Sequence, residues 1–413
     1  MRVAILSSFD LDGGAARAAY RLHQSLMERK VESRMFVQIA SRGSFEVDGP
    51  IDGVGKTLAR LRPYLDHLPA RLLGARLGEF SVNWLPSGTL TKLDAYQPDV
   101  VHIHGIHAGF VSLSELQDLR APAILTAHDM WPFTGGCHYD NDCGRYATES
   151  CTRCPLLSVS AHSLAKQRLL AKRKTWRRSI STFIVPSRWL KRVAEASPTA
   201  EGARIEVIPN GLDLSKFRPI HKQAARQLFG LPQEQKVVLF GGVNSTSDPR
   251  KGYGLLRLAL SEVAATDLRK EIVLCVYGSA QRRVTETFGI RTIEVGHLFD
   301  EESLIALYSA ADLFIAPSRQ DNLPNTVLEA TACALPTIAF DVGGMPDLIL
   351  DGKTGWLAKR MSSDALCNCI VHAIGAPLSD FGDAARKHAV ANFSASDAAE
   401  RHLDIYKRAR AGL

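Results

Sequence analysis

The stretch from Leu313 to Asp347, LFIAPSRQDNLPNTVLEATACALPTIAFDVGGMPD, constrains this chain more than any other. Leu313-Phe314-Ile315-Ala316 reads as a buried strand, followed by a loop carrying Asp321 and a short helix from about Thr326 to Ala334. Pro336 stops that helix, Thr337 to Phe340 reads as a second strand, and Gly343-Gly344 turns the chain into the next helix. A strand, a helix and a strand in this order form a parallel crossover unit. Asp321 and Glu329 are therefore held at the edge where a strand hands over to a helix, which is where open parallel sheets bind ligands. A carboxylate there accepts both hydroxyls of a ribose or hexose diol, and the adjoining helix N-terminus favours a phosphate. The competing reading is local: Thr326-Val327-Leu328-Glu329 fits the S/T-x-x-E capping box, in which Glu329 only satisfies backbone donors.

At 413 residues the chain exceeds one ordinary core, and two domains are expected. No apolar run approaches the roughly 20 residues needed to span a bilayer. The opening MRVAILSSFD is too short in apolar residues for a signal peptide and reads as a first strand. A cytoplasmic location follows, in which the eight cysteines are thiols or metal ligands rather than disulfides. The net charge of +7 suits nucleic acid, anionic lipid or phosphate-bearing substrates. With no zinc-finger helix, RNP aromatic pattern or basic-region heptad, nucleic acid is set aside as a partner. Nothing in the sequence fixes an oligomeric state.

Strand and helix patterns alternate along the whole chain, which implies an α/β fold of two doubly wound parallel-sheet domains. Arg2 to Leu6 and Arg34 to Ile39 are strands; between them Gly13-Gly14 forms a side-chain-free turn into a helix, open to a phosphate or hydroxyl-rich ligand. Asp10-Leu11-Asp12 reads as turn residues rather than a metal motif. Lys56 to Phe80 interleaves leucines with Lys and Arg around Pro63 and Pro69 and reads as broken amphipathic helices with a basic face. His102 and His104 point the same way on a strand, an arrangement open to a metal but more often satisfied within the fold. A strand at Ala123 to Ala127 delivers His128-Asp129 to its C-terminal end. The helix from His162 to Ile180 carries seven basic residues, read either as a solvated face or, with the segment at 56–80, as a contact for an anionic membrane. The pattern restarts at Lys236 to Gly242, KVVLFGG, after which Arg250-Lys251-Gly252 converges two cations and backbone amides on one spot, suited to a pyrophosphate. The expected domains are 1–215, holding a Cys-rich insertion at 129–155, and 216–390. Residues 391–413 add a last helix that could dock on either domain, the N-terminal one included.

These residues carry a family resemblance over nearly the whole chain. Ile208 to Asp213 (I-P-N-G-x-D), Arg250-Lys251-Gly252, Gly278, the run from Gly296 to Ser318 and the opening stretch resemble GT-B glycosyltransferases of the large retaining family four. Within it, Gly13 to Arg17, HDMWPFTGGCHY and DNLPNTVLEA are most similar to the colanic-acid-type exopolysaccharide subgroup. The resemblance implies two Rossmann-like domains facing across a cleft, the N-terminal one for the acceptor and the C-terminal one for a nucleotide-diphosphate sugar. It implies that Glu329 accepts the ribose hydroxyls and that Asp321, where the family has Glu, contacts the transferred sugar. Asn322, Leu323, Asn325 and Thr326 would surround sugar and phosphates, and Lys251 would bind the pyrophosphate. Val243-Asn244 stand where the family has an arginine, so Arg250 is its substitute. His128 would approach the sugar from the other domain, and Gly13-Gly14 would lie near the β-phosphate. No catalytic metal is implied. The expected acceptor is a polyprenyl-diphosphate-linked glycan, with the enzyme peripheral on the inner membrane. Two alternatives are a nucleotide-sugar epimerase on the same fold and a zinc-containing, membrane-associated binding protein.

The Cys-rich insertion is a separate signal. Cys137, Cys143, Cys151 and Cys154 include one tight C-x-x-C pair and are enough for tetrahedral zinc, which is expected here as a structural ion ordering a segment that lacks periodicity.

Overall fold

The computed structural model describes residues 1–41, 44–75, 80–148, 150–158, 162–242, 245–278, 282–298 and 300–412, with only the backbone at 162, 282 and 283. Two compact units divide the chain. Unit 1 is Met1–Gly211 together with Ala395–Leu413, and unit 2 is Leu212–Ser394. Val243 and Asn244 lie outside the described residues.

Unit 1 is built on β1 (Arg2–Phe9), β2 (Glu32–Ile39), β3 (Val47–Asp48), β4 (Val100–Gly105), β5 (Ala123–Thr126), β6 (Ile180–Val185) and β7 (Arg204–Val207). Their order across the sheet is β3-β2-β1-β4-β5-β6-β7, and every pair is parallel. The unbroken burial of Val3 to Leu6 and of Val100 to Gly105 is what a sheet covered on both faces demands. Helices used below are α1 (Gly14–Glu28), α2 (Gly53–Leu72), α3 (His162–Ser179), α4 (Glu301–Ala310), α5 (Asn325–Ala332) and α6 (Ala395–Arg410). One face of the sheet is covered in part by α1 and by the last helix, α6, whose Ile405, Tyr406 and Ala409 join Val3, Ile5 and Ile124 in one apolar cluster.

Unit 2 repeats the plan with β8 (Lys236–Gly241), β9 (Ile272–Tyr277), β10 (Arg282–Thr287), β11 (Ile290–Gly296), β12 (Leu313–Ala316), β13 (Thr337–Phe340) and β14 (Gly355–Ala358). The order is β10-β11-β9-β8-β12-β13-β14, parallel apart from the β10–β11 hairpin. Between β8 and its neighbour β12 the order of connection reverses, a switch point that places the loops after both strands side by side.

One expectation is corrected at this level. The segment after Lys56 does not break at its prolines: α2 runs unbroken from Gly53 to Leu72 with Pro63 and Pro69 inside it, capped by the Asp52 side chain on the Gly55 amide. Packing of Ala59, Asp66, His67 and Ala70 against the body outweighs the bonds the prolines remove. The basic residues of α3 are divided: Lys166, Lys174, Arg177 and Arg178 are exposed, as a solvated face requires, whereas Lys172 turns inward and Arg168 and Arg173 are half-buried. Lys172 is fully buried and donates to the Trp131 and Thr134 carbonyls, with its ammonium 3.8 Å from the Trp131 ring centre. Arg173 and Arg177 pair with Glu201, and Arg168 donates to the Val82 carbonyl.

Candidate functional site

In unit 2 the site is assembled from two loops laced together. The turn after β8 and the loop after β12 exchange backbone bonds, the Arg319 amide donating to the Arg250 carbonyl at 2.8 Å. Gly252 makes this approach possible: its φ is +72°, and a Cβ there would sit 1.8 Å from the Pro317 carbonyl oxygen. On the other side Gly343 presses its α-carbon against the Asp321 carbonyl, where a Cβ would lie 1.9 Å away, and the Gly344 amide donates to that same carbonyl at 3.0 Å. Asp321 is thus clamped from both sides.

The Asp321 carboxylate is buried and accepts from Lys251 Nζ at 2.7 Å, from Arg250 at 3.4 Å and from the Asn322 amide at 3.0 Å. Burial alone would raise its pKa, but the two cations outweigh that and hold it below the usual carboxylate range. Arg250 also donates to the Gln320 carbonyl and pairs with Asp248, so its guanidinium is fixed rather than swinging in solvent.

Glu329 is 1% exposed. Its helix, α5, begins at Asn325 with Pro324 at the cap position and no side-chain cap bond. Thr326 is therefore the second helical residue, Glu329 is the fifth, and the capping box does not form. Instead the Glu329 carboxylate accepts from the Tyr308 hydroxyl at 3.1 Å, and that hydroxyl lies 3.0 Å from the hydroxyl of Tyr277. Tyr308 stands on α4 and Tyr277 ends β9, so three elements converge on one carboxylate. Burial, with Tyr277 and Glu329 as neighbours, raises the Tyr308 phenol well above its ordinary pKa and keeps it a donor. Asn322 and Leu323 are buried in the same loop, and Asn325 and Thr326 open α5.

Unit 1 carries a second constellation at the C-terminal ends of β4 and β5. His128 Nε2 lies 2.9 Å from His104 Nδ1 with the two rings stacked, and His104 Nε2 lies 3.2 Å from His102 Nδ1. His102 Nδ1 also meets the Tyr406 hydroxyl at 2.6 Å, and its Nε2 meets Thr126 Oγ1 at 2.8 Å. Histidines 102 and 104 are therefore satisfied by one another and by hydroxyls, not set out as metal ligands. Burial pulls His128 down to about 4, with Asp129 opposing and His402 adding to the shift; burial likewise drives His102 and His104 well below 6.5. Asp129 accepts from His138 at 2.7 Å and from the Trp131 amide at 2.8 Å. Burial would raise it, yet His138 and His107 bring it to about 2.

Gly13 and Gly14 lie exposed at the start of α1, with nothing within 4 Å of a Cβ built on Gly13. Asp10 is buried and accepts from the Leu11 and Ser41 amides, the turn role expected of it. The zinc expectation finds no support in the structure. Among the described residues no group of three or more His, Cys, Asp or Glu is placed to hold a metal. Cys151 and Cys154 pack in the apolar core of unit 1, the Gly135 amide donates to Cys151 Sγ, and burial raises the Cys151 thiol to about 11 and the Cys137 thiol further.

The sequence reading missed the role of Tyr308 and of Tyr406. Tyr308 falls inside the run from Gly296 to Ser318, and its one sequence signal is a phenol among the apolar residues Leu304 to Leu307. Tyr406 lies in a part of the sequence over three hundred residues from its partner, which no local pattern reveals.

Two family models match this chain: "Glycosyltransferase Family 4" over residues 12–216 and "Glycosyl transferases group 1" over residues 234–375. The chain belongs to this GT-B family of glycosyltransferases. It is 31% identical over 224 residues to the D-inositol 3-phosphate glycosyltransferase 2 of Catenulispora acidiphila, a match covering 51% of this chain and 52% of that protein. The chain thus spans about half the length of the curated relatives it matches. Among solved structures it is similar to sucrose-phosphate synthase from Thermosynechococcus elongatus, with a TM-score of 0.71, 18% identity and full coverage of both chains. It is similar also to Anabaena HepE crystallised with UDP-glucose, with a TM-score of 0.65, 18% identity, and 98% and 99% coverage of this chain and of that one. Such identities establish the fold alone. None of these names supports the narrower likeness to exopolysaccharide enzymes.

Proposed function

We propose that this protein transfers a hexosyl group from a nucleoside-diphosphate sugar to a hydroxyl acceptor with retention of configuration. The observation that carries this reading is the buried Glu329 carboxylate, oriented by Tyr308, beside the Asp321–Lys251–Arg250 cluster at the switch point of unit 2. A fixed, buried carboxylate is well placed to accept the two hydroxyls of a ribose. The Lys251 ammonium has three donors, and its bond to Asp321 uses one, so a diphosphate can be received without breaking the pair. Arg250, held by Gln320 and Asp248, supplies a second cation where charge grows on the leaving group.

In the proposed reaction the bond from the anomeric carbon to the phosphate oxygen breaks, and a bond to the acceptor oxygen forms on the same face. The departing phosphate oxygen takes the acceptor proton, so no protein base is required. Asn322, Leu323, Asn325 and Thr326 line the sugar and phosphates and Asp321 contacts the sugar; within unit 1, His128 and Gly13-Gly14 are the proposed site residues. His128, kept neutral by burial, acts as a hydrogen-bonding group rather than a cation.

The acceptor in this reading is a lipid-linked glycan, supported by the outward apolar face of α2 described below. A second reading is an inositol phosphate, supported by the name of the Catenulispora acidiphila relative. Calorimetry with UDP-, GDP-, ADP- and TDP-sugars tests the donor site. Glu329→Gln keeps an acceptor for Tyr308 but weakens two charge-assisted bonds, and donor affinity should fall about 10- to 100-fold with the thermal midpoint unchanged. Equal affinity in that variant removes Glu329 from the site; turnover of sugar isomers without acceptor would favour an epimerase.

A further inference from the structure

Helix α2 presents its apolar residues to the outside. Val54, Leu58, Leu61, Leu65, Leu68 and Leu72 follow one another at spacings of four and three, which at 100° per residue keeps them within about 40° of a single line along the helix. All six are exposed, from 43% at Leu68 to 76% at Leu72. The opposite side, with Ala59, Asp66, His67 and Ala70, is the side buried against unit 1. This inverts the usual arrangement for a surface helix, whose apolar stripe faces the core. Just before the helix, Phe45 and Ile51 are 98% and 88% exposed.

The charges are one-sided. Arg60 and Arg71 are exposed on one flank of the stripe, and Lys56 is exposed in the first turn of the helix. The helix's only acid, Asp66, is buried and accepts from the Val82 and Trp84 amides, while Asp52 just outside it is the N-cap. Arg62, on the other flank, is turned inward onto the Gly109, Leu85 and Pro86 carbonyls. An exposed leucine stripe beside cations alone is complementary to a surface that is apolar beneath and anionic above. A second copy of the chain fits less well, because a self-complementary pairing of this face would bring Arg60 and Arg71 toward their own counterparts with no exposed acid on the helix to separate them.

We infer that α2 is the membrane-docking element of this protein, lying in the interface of an anionic bilayer with its leucine stripe among the acyl chains and Lys56, Arg60 and Arg71 at the headgroups. This deepens the proposed function by naming the surface on which a lipid-linked acceptor is met, and it rests on that reading only for the acceptor. It also assigns the contact to α2 rather than to α3, whose exposed face carries cations but, among its described residues, no exposed large apolar residue besides Leu170.

Sedimentation with vesicles tests it without any donor or acceptor present. The full chain should bind vesicles of equal parts phosphatidylglycerol and phosphatidylcholine and bind pure phosphatidylcholine much less. Replacing Lys56, Arg60 and Arg71 together by Gln should lower partitioning roughly a hundredfold, about fivefold per cation. Leu58→Glu with Leu65→Glu should abolish it; both positions are exposed, and an unchanged circular dichroism spectrum shows the variant folded. Wild-type binding to vesicles by that variant would overturn the proposal, as would loss of binding on replacing Lys166, Lys174 and Arg178 of α3 instead. Sedimentation equilibrium without lipid gives a further reading: a dimer that the Leu58/Leu65 variant dissolves would overturn it in favour of a second copy, and a monomer supports the lipid surface. Nucleotide-sugar affinity, measured separately on the same variants, stays at the wild-type value if only docking is lost, so failure of the donor site is told apart from failure of docking.

Discussion

Mild acid should unfold unit 1 through its histidines. Burial brings His23, His107, His128 and His402 each to about 4, and His102 and His104 well below 6.5, whereas an unfolded chain protonates them near 6.5. Because the folded values are depressed, the unfolded state binds more protons between these limits. Stability is therefore fully present above about pH 6.5 and is lost as the pH falls toward 4. At pH 5 a histidine with these two values removes about 2 kcal/mol, so the first four together remove about 8 kcal/mol, comparable with the whole stability of an ordinary domain. Even half that magnitude would move an unfolding midpoint far. Asp129 does not offset the loss, since at about 2 it stays ionised throughout this window. Four of the five tryptophans lie in unit 1, and the fifth, Trp356, stacks on Phe381 in unit 2. In a Trp356→Phe variant, fluorescence-monitored urea unfolding reports unit 1 alone. Its free energy should fall by about 1 kcal/mol per pH unit per histidine near pH 5.5. A urea midpoint that stays constant between about pH 7 and pH 5 would refute the reasoning.

Asp321→Asn removes the charge that holds Lys251 and Arg250, and turnover should drop at least tenfold, about 1.4 kcal/mol, while Asp321→Glu retains part of it; steady-state kinetics separates the two. The wild-type carboxylate, held low by its cations, stabilises the fold above its unfolded value, and this contribution fades only as the pH falls below about 4, visible as an extra acid step that Asp321→Asn lacks. Gly252→Ala drives a methyl into the Pro317 carbonyl and should lower stability by about 2 kcal/mol or more, read by urea unfolding, with donor affinity falling as the two loops part. Lys172→Ala leaves the Trp131 and Thr134 carbonyls without their buried donor and should cost about 3 kcal/mol, read in the same assay.

The long apolar strands were legible because a sheet covered on both faces leaves continuous hydrophobic runs. That signal located β1, β4, β8, β12 and β13. It failed for β3, only two residues long, for β14, and for β10, a charged edge strand reading Arg-Arg-Val-Thr-Glu-Thr. Spacing placed Asp321, Arg250 and Lys251 on one edge, and the structure brings them into contact. Spacing also offered Glu329 a capping box, which the start of α5 at Asn325 rules out. Propensity alone argued that Pro63 and Pro69 would break α2, and tertiary packing overrode it. The cysteine spacing fitted zinc as well as it fitted a buried cluster, since spacing carries no information on whether four sulfurs converge.

The chain leaves unit 1 at Gly211, completes unit 2 without interruption, and returns at Ala395. Tyr406, the partner of His102, and His402 both arrive on that returning helix. During synthesis, then, unit 2 is complete in sequence before the last piece of unit 1 has been made. At roughly 5–20 residues per second the first 211 residues wait on the order of ten to forty seconds with one side of their sheet only partly covered. A nascent chain halted just before Ala395 holds a whole unit 2 and a histidine row that has yet to meet its tyrosine. For this protein, unit 1 matures last although it is begun first.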